Sequence, residues 1–340
     1  MRTLKFFEAV DDALAQAMAD DPRVVVFGED VPLLRRDLAV RFGARRVFGA
    51  PISESAFLGA GAAAAMAGLR PVVELYMVDF AAVAMDALLN HAAKVAAFSG
   101  GTWTAPLVVR APCGGGYGDG GQHEQSLWGW LAHIPGLAVV VPSTPADAGG
   151  LLLAALRQDG PVVFLEPKLL SGPMLDFLGS GGRTTVRYDI PEAGANGPVP
   201  GRWEPLPIGQ AAVRRRGRDV TIVSVGVGVH RAMEASEALE GEGISAEVLD
   251  LRTVSPLDRA AIRGSVSKTG RLLAVDEDYE AFGLSGELAA LSLEEGLAFA
   301  FGRVCTGSTI PYSRRLEDAV LPNAGRIRDA ARALVRRSSG

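Results

Sequence analysis

The stretch LAVVVPSTPADAGGLLLAALRQDGPVVFLE, residues 137–166, decides the fold class of this sequence. Its two ends, LAVVVP and PVVFLE, are short apolar runs of the kind that form buried β-strands. Between them, residues 146–157 have the length and spacing of a helix. Strand, helix and strand in this order form a βαβ unit, in which the two strands lie parallel in one sheet. The stretch therefore predicts a parallel sheet covered by helices.

The same alternation extends in both directions along the chain. Towards the N-terminus, the strand-like runs RVVVFGED, PVVEL and PLVVR alternate with helices predicted at 6–18, 55–68 and 80–98. Towards the C-terminus, DVTIVSVG, SAEVLDL, RLLAVDE and FGRVC alternate with further helices, including 230–239 and one from Ser285. Residues 171–207 interrupt the pattern with glycine, proline and charged residues, which predicts an interdomain linker.

These patterns predict an α/β fold with two doubly wound domains. The first domain, residues 1–170, has a mainly parallel sheet. The second, residues 208–340, is a smaller α/β domain with its own sheet. A chain of 340 residues is long enough for each domain to bury a core.

Composition narrows the classes of function. Hydrophobic residues make up 48% of the chain and charged residues 21%, which is typical of a soluble globular protein. A net charge of −5 argues against a general nucleic-acid binder. Two distant cysteines, Cys113 and Cys305, suit a reducing cytoplasm. Acidic residues within the first apolar stretch argue against a signal peptide, and no apolar run reaches the roughly 18 residues of a membrane-spanning helix.

One motif mimics a nucleotide site without the required context. Gly59 and Gly61 open a predicted helix, as in a dinucleotide-binding fingerprint. That fingerprint needs a strand that runs directly into the glycines, whereas a proline and several polar residues precede them here. We interpret these glycines as close helix packing, which argues against a nicotinamide-dependent oxidoreductase.

A first candidate for catalysis is Glu54, in PISESAFLGAG at residues 51–61. It follows Ile52 and precedes an apolar stretch, and apolar surroundings favour the protonated form of a carboxyl group, which suits acid–base chemistry. The alternative is an ordinary first-turn carboxylate that stabilises a helix N-terminus by under ~1 kcal/mol. The local sequence leaves both interpretations open.

A second candidate is His123, in RAPCGGGYGDGGQHEQS at residues 110–126. Six of the nine residues at 113–121 are glycine, so the backbone of this loop can approach a ligand or a partner chain closely. Histidine can donate or accept a proton near neutral pH. The alternative is a flexible surface loop with an incidental histidine. Cys113 is interpreted as a structural thiol, and the three other histidines, at positions 91, 133 and 230, as structural residues.

Ten blocks, in order along the chain, carry a family resemblance. They are GEDV (28–31), PISE (51–54), GLRPVVEL (68–75), D-x-x-x-N-x-x-A-K (86–94), APLVVRAP (105–112), GGQHEQS (120–126), PGLAVVVPSTPADA (135–148), PVVFLEPK (161–168), DLRTVSPLD (250–258) and SRRLEDAVLPN (313–323). Together they resemble the β-subunits of pyruvate, branched-chain 2-oxoacid and acetoin dehydrogenases, within the transketolase superfamily. The resemblance favours the catalytic interpretations of Glu54 and His123.

The resemblance implies the following organisation. Residues 1–170 correspond to a domain that binds the pyrimidine of thiamine diphosphate, and residues 208–340 to a transketolase C-terminal-like domain. A separate α-subunit carries the diphosphate and Mg²⁺ site, so the cofactor lies at the interface of an α2β2 heterotetramer. The assembly decarboxylates a 2-oxoacid and passes the acyl group to the lipoamide of a dihydrolipoyl acyltransferase.

The resemblance also implies roles for individual residues. Glu54 matches a glutamate that hydrogen-bonds a pyrimidine nitrogen and activates the cofactor, and Ile52 of the same block belongs to the cofactor-binding residues. Phe80 matches an aromatic residue that packs on the pyrimidine. Tyr76 falls at a pocket position that varies between substrate classes. His123 matches a histidine near the reacting carbon that assists proton transfer and lipoamide acylation.

Some positions depart from the family. Glu124 replaces a serine beside His123, where it either influences the histidine or faces solvent. Gly118-Asp119-Gly120 starts a thiamine diphosphate magnesium motif, but no asparagine follows at the required spacing, and one aspartate is a poor ligand set for Mg²⁺.

A potassium site is a further departure. In some members main-chain oxygens at positions matching Leu107 and Ala155 bind potassium with an aspartate and an asparagine. Those last two positions are Gln158 and Gly160 here, which argues against potassium.

Three alternative functions remain open at this stage. They are an acetoin dehydrogenase β-subunit, the C-terminal subunit of a split transketolase, and a non-catalytic assembly subunit.

Overall fold

The computed structural model describes residues 2–171 and 188–337. It contains a seven-stranded and a five-stranded sheet, both mainly parallel and covered by helices, together with a two-stranded ribbon. The α/β fold with two doubly wound halves is therefore confirmed.

The seven-stranded sheet is built mainly from the first half of the chain. Its strands, in spatial order, are β12 (Thr253–Ser255), β6 (Ala138–Val140), β7 (Val162–Pro167), β5 (Val108–Cys113), β4 (Arg70–Glu74), β2 (Val24–Glu29) and β3 (Val47–Ala50). All neighbouring pairs are parallel except β12 with β6. Strand β12 comes from the second half of the chain, so the second half completes the first sheet.

The five-stranded sheet belongs to the second half of the chain. Its strands, in spatial order, are β14 (Ala300–Thr306), β13 (Arg271–Tyr279), β10 (Val220–Ser224), β11 (Ala246–Asp250) and β9 (Ala212–Arg215). Only the edge strand β9 is antiparallel to its neighbour. A short ribbon pairs β1 (Arg2–Lys5) with β8 (Asn196–Val199).

Helices cover both sheets. They are α1 (Phe6–Asp20), α2 (Val31–Leu34), α3 (Arg36–Phe42), α4 (Glu54–Met66), α5 (Val95–Phe98), α6 (Trp128–Ala132), α7 (Pro145–Arg157), α8 (Glu192–Ala195), α9 (Val227–Glu240), α10 (Arg259–Thr269), α11 (Leu284–Glu294), α12 (Arg314–Val320) and α13 (Ala324–Arg337). Within the described ranges, no helix has the length and apolar character needed to cross a membrane.

The start of α7 shows how the sequence fixes an element. Thr144 is its N-cap, and its hydroxyl oxygen accepts a hydrogen bond from the Asp147 amide at 3.2 Å. Pro145 occupies the first turn, where its missing N–H costs nothing. The leucines at 151–153 are all buried, so the helix is held by its packing against the sheet.

The single helix predicted at 80–98 is wrong. The segment is a 3-10 helix at Val78–Ala84, a π-helix at Ala87–Ala92 and then α5. Contacts made by its first turn override the α-helical preference of the sequence: Asp79 accepts a hydrogen bond from the side chain of Gln125 at 2.9 Å. Breaks of this kind are frequent at functional sites.

The predicted linker at 171–207 is partly described. Residues 172–187 lie outside the described ranges, whereas residues 188–207 contain α8 and β8. The indole N–H of Trp203 donates to Asp12 at 2.6 Å, and the ring packs in the core beside α1 and α7. This end of the segment therefore packs on the first half of the chain.

Candidate active site

The candidate active site lies beyond the carboxyl ends of β2, β4 and β5. Strand β2 ends at Glu29, Tyr76 follows the end of β4, and a glycine-rich segment follows β5. We call residues 114–122 the glycine loop. The crevice at the carboxyl ends of parallel strands is the usual ligand site of an open α/β sheet.

Glu54 begins helix α4 and is 9% exposed. The hydroxyl of the next residue, Ser55, donates to the carbonyl oxygen of Val83. Helix α4 also packs against the 3-10 segment to which Val83 belongs. The start of α4 is therefore fixed beside the segment that carries Phe80.

Glu54 acts electrostatically on Glu29 at the end of β2. Burial raises the pKa of Glu29, and the nearby carboxylates of Glu54 and Asp30 raise it further. Burial also raises the pKa of Tyr76, with Asp30 and then Glu29 as the next causes. Glu29 therefore lies close enough to both Glu54 and Tyr76 to influence or be influenced by them.

The structure brings Phe80 and His123 together. Their rings meet edge to face, with centroids 6.0 Å apart and an interplanar angle of 88°. The Nδ1 atom of His123 lies 3.4 Å from the carbonyl oxygen of Asp119. Two residues that are distant in sequence thus share one wall of the site.

Ile52 is placed differently from the other candidate residues. Its side chain is 76% exposed, although it is large and apolar. It lies at the rim just before α4, so the chain alone does not cover it.

Buried side chains bind the backbone of the glycine loop. Glu124 is fully buried, and its carboxylate accepts from the amides of Tyr117 at 2.7 Å and Gly120 at 3.0 Å. Glu124 therefore does not face solvent, and its carboxylate binds the loop backbone. The Nζ atom of Lys168 donates to the carbonyl oxygen of His123.

A buried ion-pair network beneath the crevice was not predicted. Arg110 is 1% exposed and donates to Glu74 and Glu166 at 2.7 Å each. Arg35 donates to Glu74 at 3.0 Å. With Tyr76 these residues line a cavity of about 70 Å³. The sequence did contain a signal for this network. Each of the apolar strand runs PVVEL, PLVVR and PVVFLE carries one charged residue, and buried charges are normally paired.

The remaining candidate side chains are structural. Burial raises the pKa of the Cys113 thiol well above its ordinary value, so the thiol is neutral. The Nε2 atom of His230 lies 2.7 Å from the carbonyl oxygen of Ser143, and burial lowers the pKa of His230. Gly61 packs tightly, since an added Cβ would lie 2.5 Å from a methyl group of Val73. Close packing is therefore found at Gly61 but not at Gly59, where nothing lies within 4 Å of an added Cβ.

The carbonyl oxygens expected for potassium already accept hydrogen bonds. The carbonyl oxygen of Leu107 accepts from the amide of Val162 at 2.8 Å, and that of Ala155 accepts from the amide of Gln158 at 3.1 Å. These bonds belong to the sheet and to the end of α7.

A side-chain cation already occupies the end of α7. The Nη1 atom of Arg70 donates to the carbonyl oxygens of Leu156 and Gln158 at 2.9 Å each. The side chains of Gln158 and Gly160 supply no carboxylate ligand beside these carbonyl groups. In the described ranges, no group of three or more histidine, cysteine, aspartate and glutamate side chains is suited to a metal ion.

Two family models match the chain. The transketolase pyrimidine-binding domain matches residues 2–173, and the transketolase C-terminal domain matches residues 209–327. The first of these spans contains every candidate residue of the site.

Curated relatives extend this match over nearly the whole chain. The chain is 38% identical to the pyruvate dehydrogenase E1 component subunit beta of Rhizobium meliloti over 98% of this chain and 70% of that protein. It is 37% identical to the acetoin:2,6-dichlorophenolindophenol oxidoreductase subunit beta of Cupriavidus necator over 97% of both chains. It is 38% identical to the 2-oxoisovalerate dehydrogenase subunit beta of Bacillus subtilis over 98% of this chain and 99% of that protein.

The chain belongs to the family of 2-oxoacid dehydrogenase E1 β-subunits. This family uses thiamine diphosphate and lies within the transketolase superfamily. A solved structure of an inactive β4 tetramer of a split-gene transketolase matches with a TM-score of 0.76, at 23% identity and over 98% of both chains. At that identity the likeness shows the fold alone.

Proposed function

We propose that the chain is a catalytic β-subunit in which Glu54 activates the pyrimidine of thiamine diphosphate and His123 assists proton transfer and lipoamide acylation. The observation that carries this proposal is the contact of Phe80 with His123 beside the helix that begins at Glu54. A carboxyl group, an aromatic ring and a histidine at one crevice suit a flat heterocycle with ring nitrogens.

The residues present fit the pyrimidine half of the cofactor. Thiamine diphosphate, when bound, supplies the carbon nucleophile and the electron sink for decarboxylation of a 2-oxoacid. Glu54 would hold and return a proton at a pyrimidine nitrogen, since a carboxyl group placed within hydrogen-bond reach of that nitrogen can act as acid and base. Phe80 provides a ring face for the pyrimidine, Ile52 lies at the rim, and Tyr76 lies where the substrate side chain is selected.

His123 serves the later proton transfers. Its backbone is held by Lys168 and its ring lies against Phe80, so the imidazole has a defined position. A histidine placed in this way can donate a proton to, or accept one from, the reacting groups during acyl transfer to lipoamide. The acceptor is the lipoyl group of a dihydrolipoyl acyltransferase.

An α-subunit completes the site. Large apolar side chains are exposed beside the start of α4: Ile52 is 76% exposed and Val83 62%. Exposed apolar surface of this kind marks a protein interface. We assign it to the α-subunit of an α2β2 heterotetramer, which would also supply the Mg²⁺ ligands.

The domain limits of the chain and the cellular compartment of the complex are part of the same proposal. We place the pyrimidine-binding domain at 1–170, the linker at 171–207 and the C-terminal domain at 208–340. We place the complex in the cytoplasm, supported by two free, buried cysteines.

The substrate is a 2-oxoacid of the pyruvate or branched-chain class. Acetoin dehydrogenase activity is the alternative, since the identity to the relative that acts on acetoin is nearly the same. The split-transketolase alternative is supported by likeness of fold alone.

Reconstitution tests the proposal. The chain is purified alone and with its α-subunit, and thiamine diphosphate binding is measured by calorimetry with and without Mg²⁺. Dye reduction is then assayed with pyruvate, 2-oxoisovalerate and acetoin. We expect tight binding and turnover only in the complex. Tight magnesium-dependent binding by the lone chain, or a complex that is inactive with all three substrates, would contradict the proposal.

A further inference from the structure

Two buried carboxyl groups meet at the glycine loop. Glu124 lies beside His123, and Glu317 lies in α12 of the second half of the chain; both are 0% exposed. Glu124 accepts from two loop amides, as described above, and Glu317 accepts from the amide of Gly118 at 2.6 Å. The loop that leads to His123 is therefore bound by acids from two parts of the chain.

The two carboxyl groups bind neighbouring amides of one short turn: Glu124 accepts from Tyr117 and Gly120, and Glu317 accepts from Gly118 between them. Two ionised carboxylates are acceptors only, so a bond between them requires a proton. As an anion, Glu317 would leave its buried Oε2 atom without any hydrogen bond. Leaving such a group unsatisfied is costly, and one bridging proton removes the cost.

Charges of both signs face the pair. Arg314 of α12 lies 3.6 Å from Glu317, but it is shared with Asp318. Lys168 from the end of β7 donates to the carbonyl oxygen of His123. The buried Glu277 of β13 adds negative charge on the side of Glu124. Burial and then Glu124 raise the pKa of Glu317 well above its ordinary value, against the opposing effect of Arg314.

We propose that Glu124 and Glu317 share one proton at neutral pH, and that this proton locks the glycine loop, and with it His123, onto α12. The inference rests on the proposed role of His123, for which both glutamates are positioning residues. It assigns a purpose to Glu124, the residue that departs from the serine typical of the family.

The proposal predicts that turnover falls at alkaline pH. When the shared proton is lost, two adjacent buried negative charges repel each other. The amides of the loop then lose their fixed acceptors and His123 is displaced. A misplacement of about 1 Å in a catalytic group can cost roughly 10²-fold in rate.

Infrared spectroscopy of the complex with its α-subunit tests the proton directly. Glu317→Gln keeps an acceptor for Gly118 and offers an N–H to Glu124, so it imitates the protonated acid. Spectra are compared at pH 8, where Asp276 and Glu277, whose pKa values are raised to about 7, are mostly ionised. We expect the band of a protonated carboxylic acid in the wild type and its loss in Glu317→Gln. It should persist in the exposed control Asp329→Asn, whose carboxylate pairs with Arg328 and Arg332. A band that persists in Glu317→Gln would overturn the proposal.

The pH profile of turnover tests the link to His123. We expect Glu317→Gln to keep wild-type turnover at pH 7 and to retain it at alkaline pH where the wild type declines. Glu124→Ser removes the acceptors and lowers turnover by up to roughly 10²-fold. If turnover declines at alkaline pH in the same way in the wild type and in Glu317→Gln, the shared proton does not hold the glycine loop in place. His123→Ala tests the role of the histidine separately, because it leaves the infrared band in place.

Discussion

Lys168 shows how a single residue fixes the candidate catalytic histidine. Its side chain is 1% exposed, and its ammonium group lies 4.9 Å from the centroid of the Tyr117 ring. Burial lowers the pKa of Lys168, while the facing acids Asp79 and Glu124 raise it. Its hydrogen bond to the carbonyl oxygen of His123 therefore lies in a buried site, where such contacts hold a backbone firmly.

Removing the imidazole of His123 should separate two steps of the reaction. If His123 serves acyl transfer, His123→Ala lowers overall turnover with a lipoyl acceptor by about 10²–10⁴-fold, the usual value of a positioned acid–base group. Reduction of an artificial dye, which needs no lipoamide, should fall much less. Both rates are measured on the complex with its α-subunit.

The exposed His133 provides the control for that experiment. His133→Ala should leave both assays unchanged. Equal losses of dye reduction and lipoamide acylation in His123→Ala would place the histidine in the early steps instead. Unchanged rates would mean that the ring has no catalytic part.

The sequence identified Glu54, Phe80 and His123 but not the residues that hold them. Short motifs indicate candidate catalytic side chains, and the family resemblance implies their roles. Glu317 could not be found in this way, because it reaches Gly118 across 199 positions of sequence. Its burial follows from the packing of two halves of the chain, which local periodicity does not encode.

Helix α4 and the segment after β4 differ in how well the sequence predicts them. The small apolar residues of α4 form the expected helix, since few contacts oppose it. The later segment has an equally helical pattern, yet it is broken into 3-10, π and α turns. The side chain of Gln125 is bonded to Asp79 and also to the hydroxyl of Tyr279 from the second half of the chain. Contacts this distant in sequence decide the local geometry.

The packing of α4 predicts opposite effects at two of its glycines. At Gly61 an added Cβ would lie 2.5 Å from Val73 and 3.4 Å from Leu107, both buried. Overpacking of this kind costs roughly 1–3 kcal/mol, more than the gain of up to ~1 kcal/mol in helix propensity. Gly61→Ala should therefore lower the free energy of unfolding, measured by denaturant titration of the complex.

Gly59 is the matched control on the same helix. Nothing lies within 4 Å of a Cβ added there, so Gly59→Ala should raise stability by up to ~1 kcal/mol through helix propensity. If the two substitutions have the same effect, the close contact of α4 with the sheet is not as described.

At the scale of the whole molecule, the two halves of the chain form one framework around the site. Strand β12 pairs with β6, and the indole N–H of Trp128 donates to Asp276 of β13 at 2.8 Å. One hydrophobic cluster contains residues of both sheets, among them Val139 and Leu249. Alternating strands and helices predicted the two sheets. They did not predict the antiparallel edge strands, whose place depends on how the halves pack together.

The turnover of the reconstituted complex with Glu54→Gln tests the central claim most directly. The amide keeps the size of the side chain but cannot exchange a proton with a pyrimidine nitrogen. Loss of a positioned acid–base group costs about 10²–10⁴-fold in rate, which is roughly 3–5 kcal/mol in the barrier. Cofactor affinity should fall much less.

Asp37→Asn, which changes an exposed first-turn acid of α3, controls for the general effect of a helix N-terminal carboxylate. The account predicts turnover reduced by about 10²–10⁴-fold in Glu54→Gln and unchanged in Asp37→Asn. A Glu54→Gln complex that binds thiamine diphosphate and turns over within a few-fold of the wild type would contradict it.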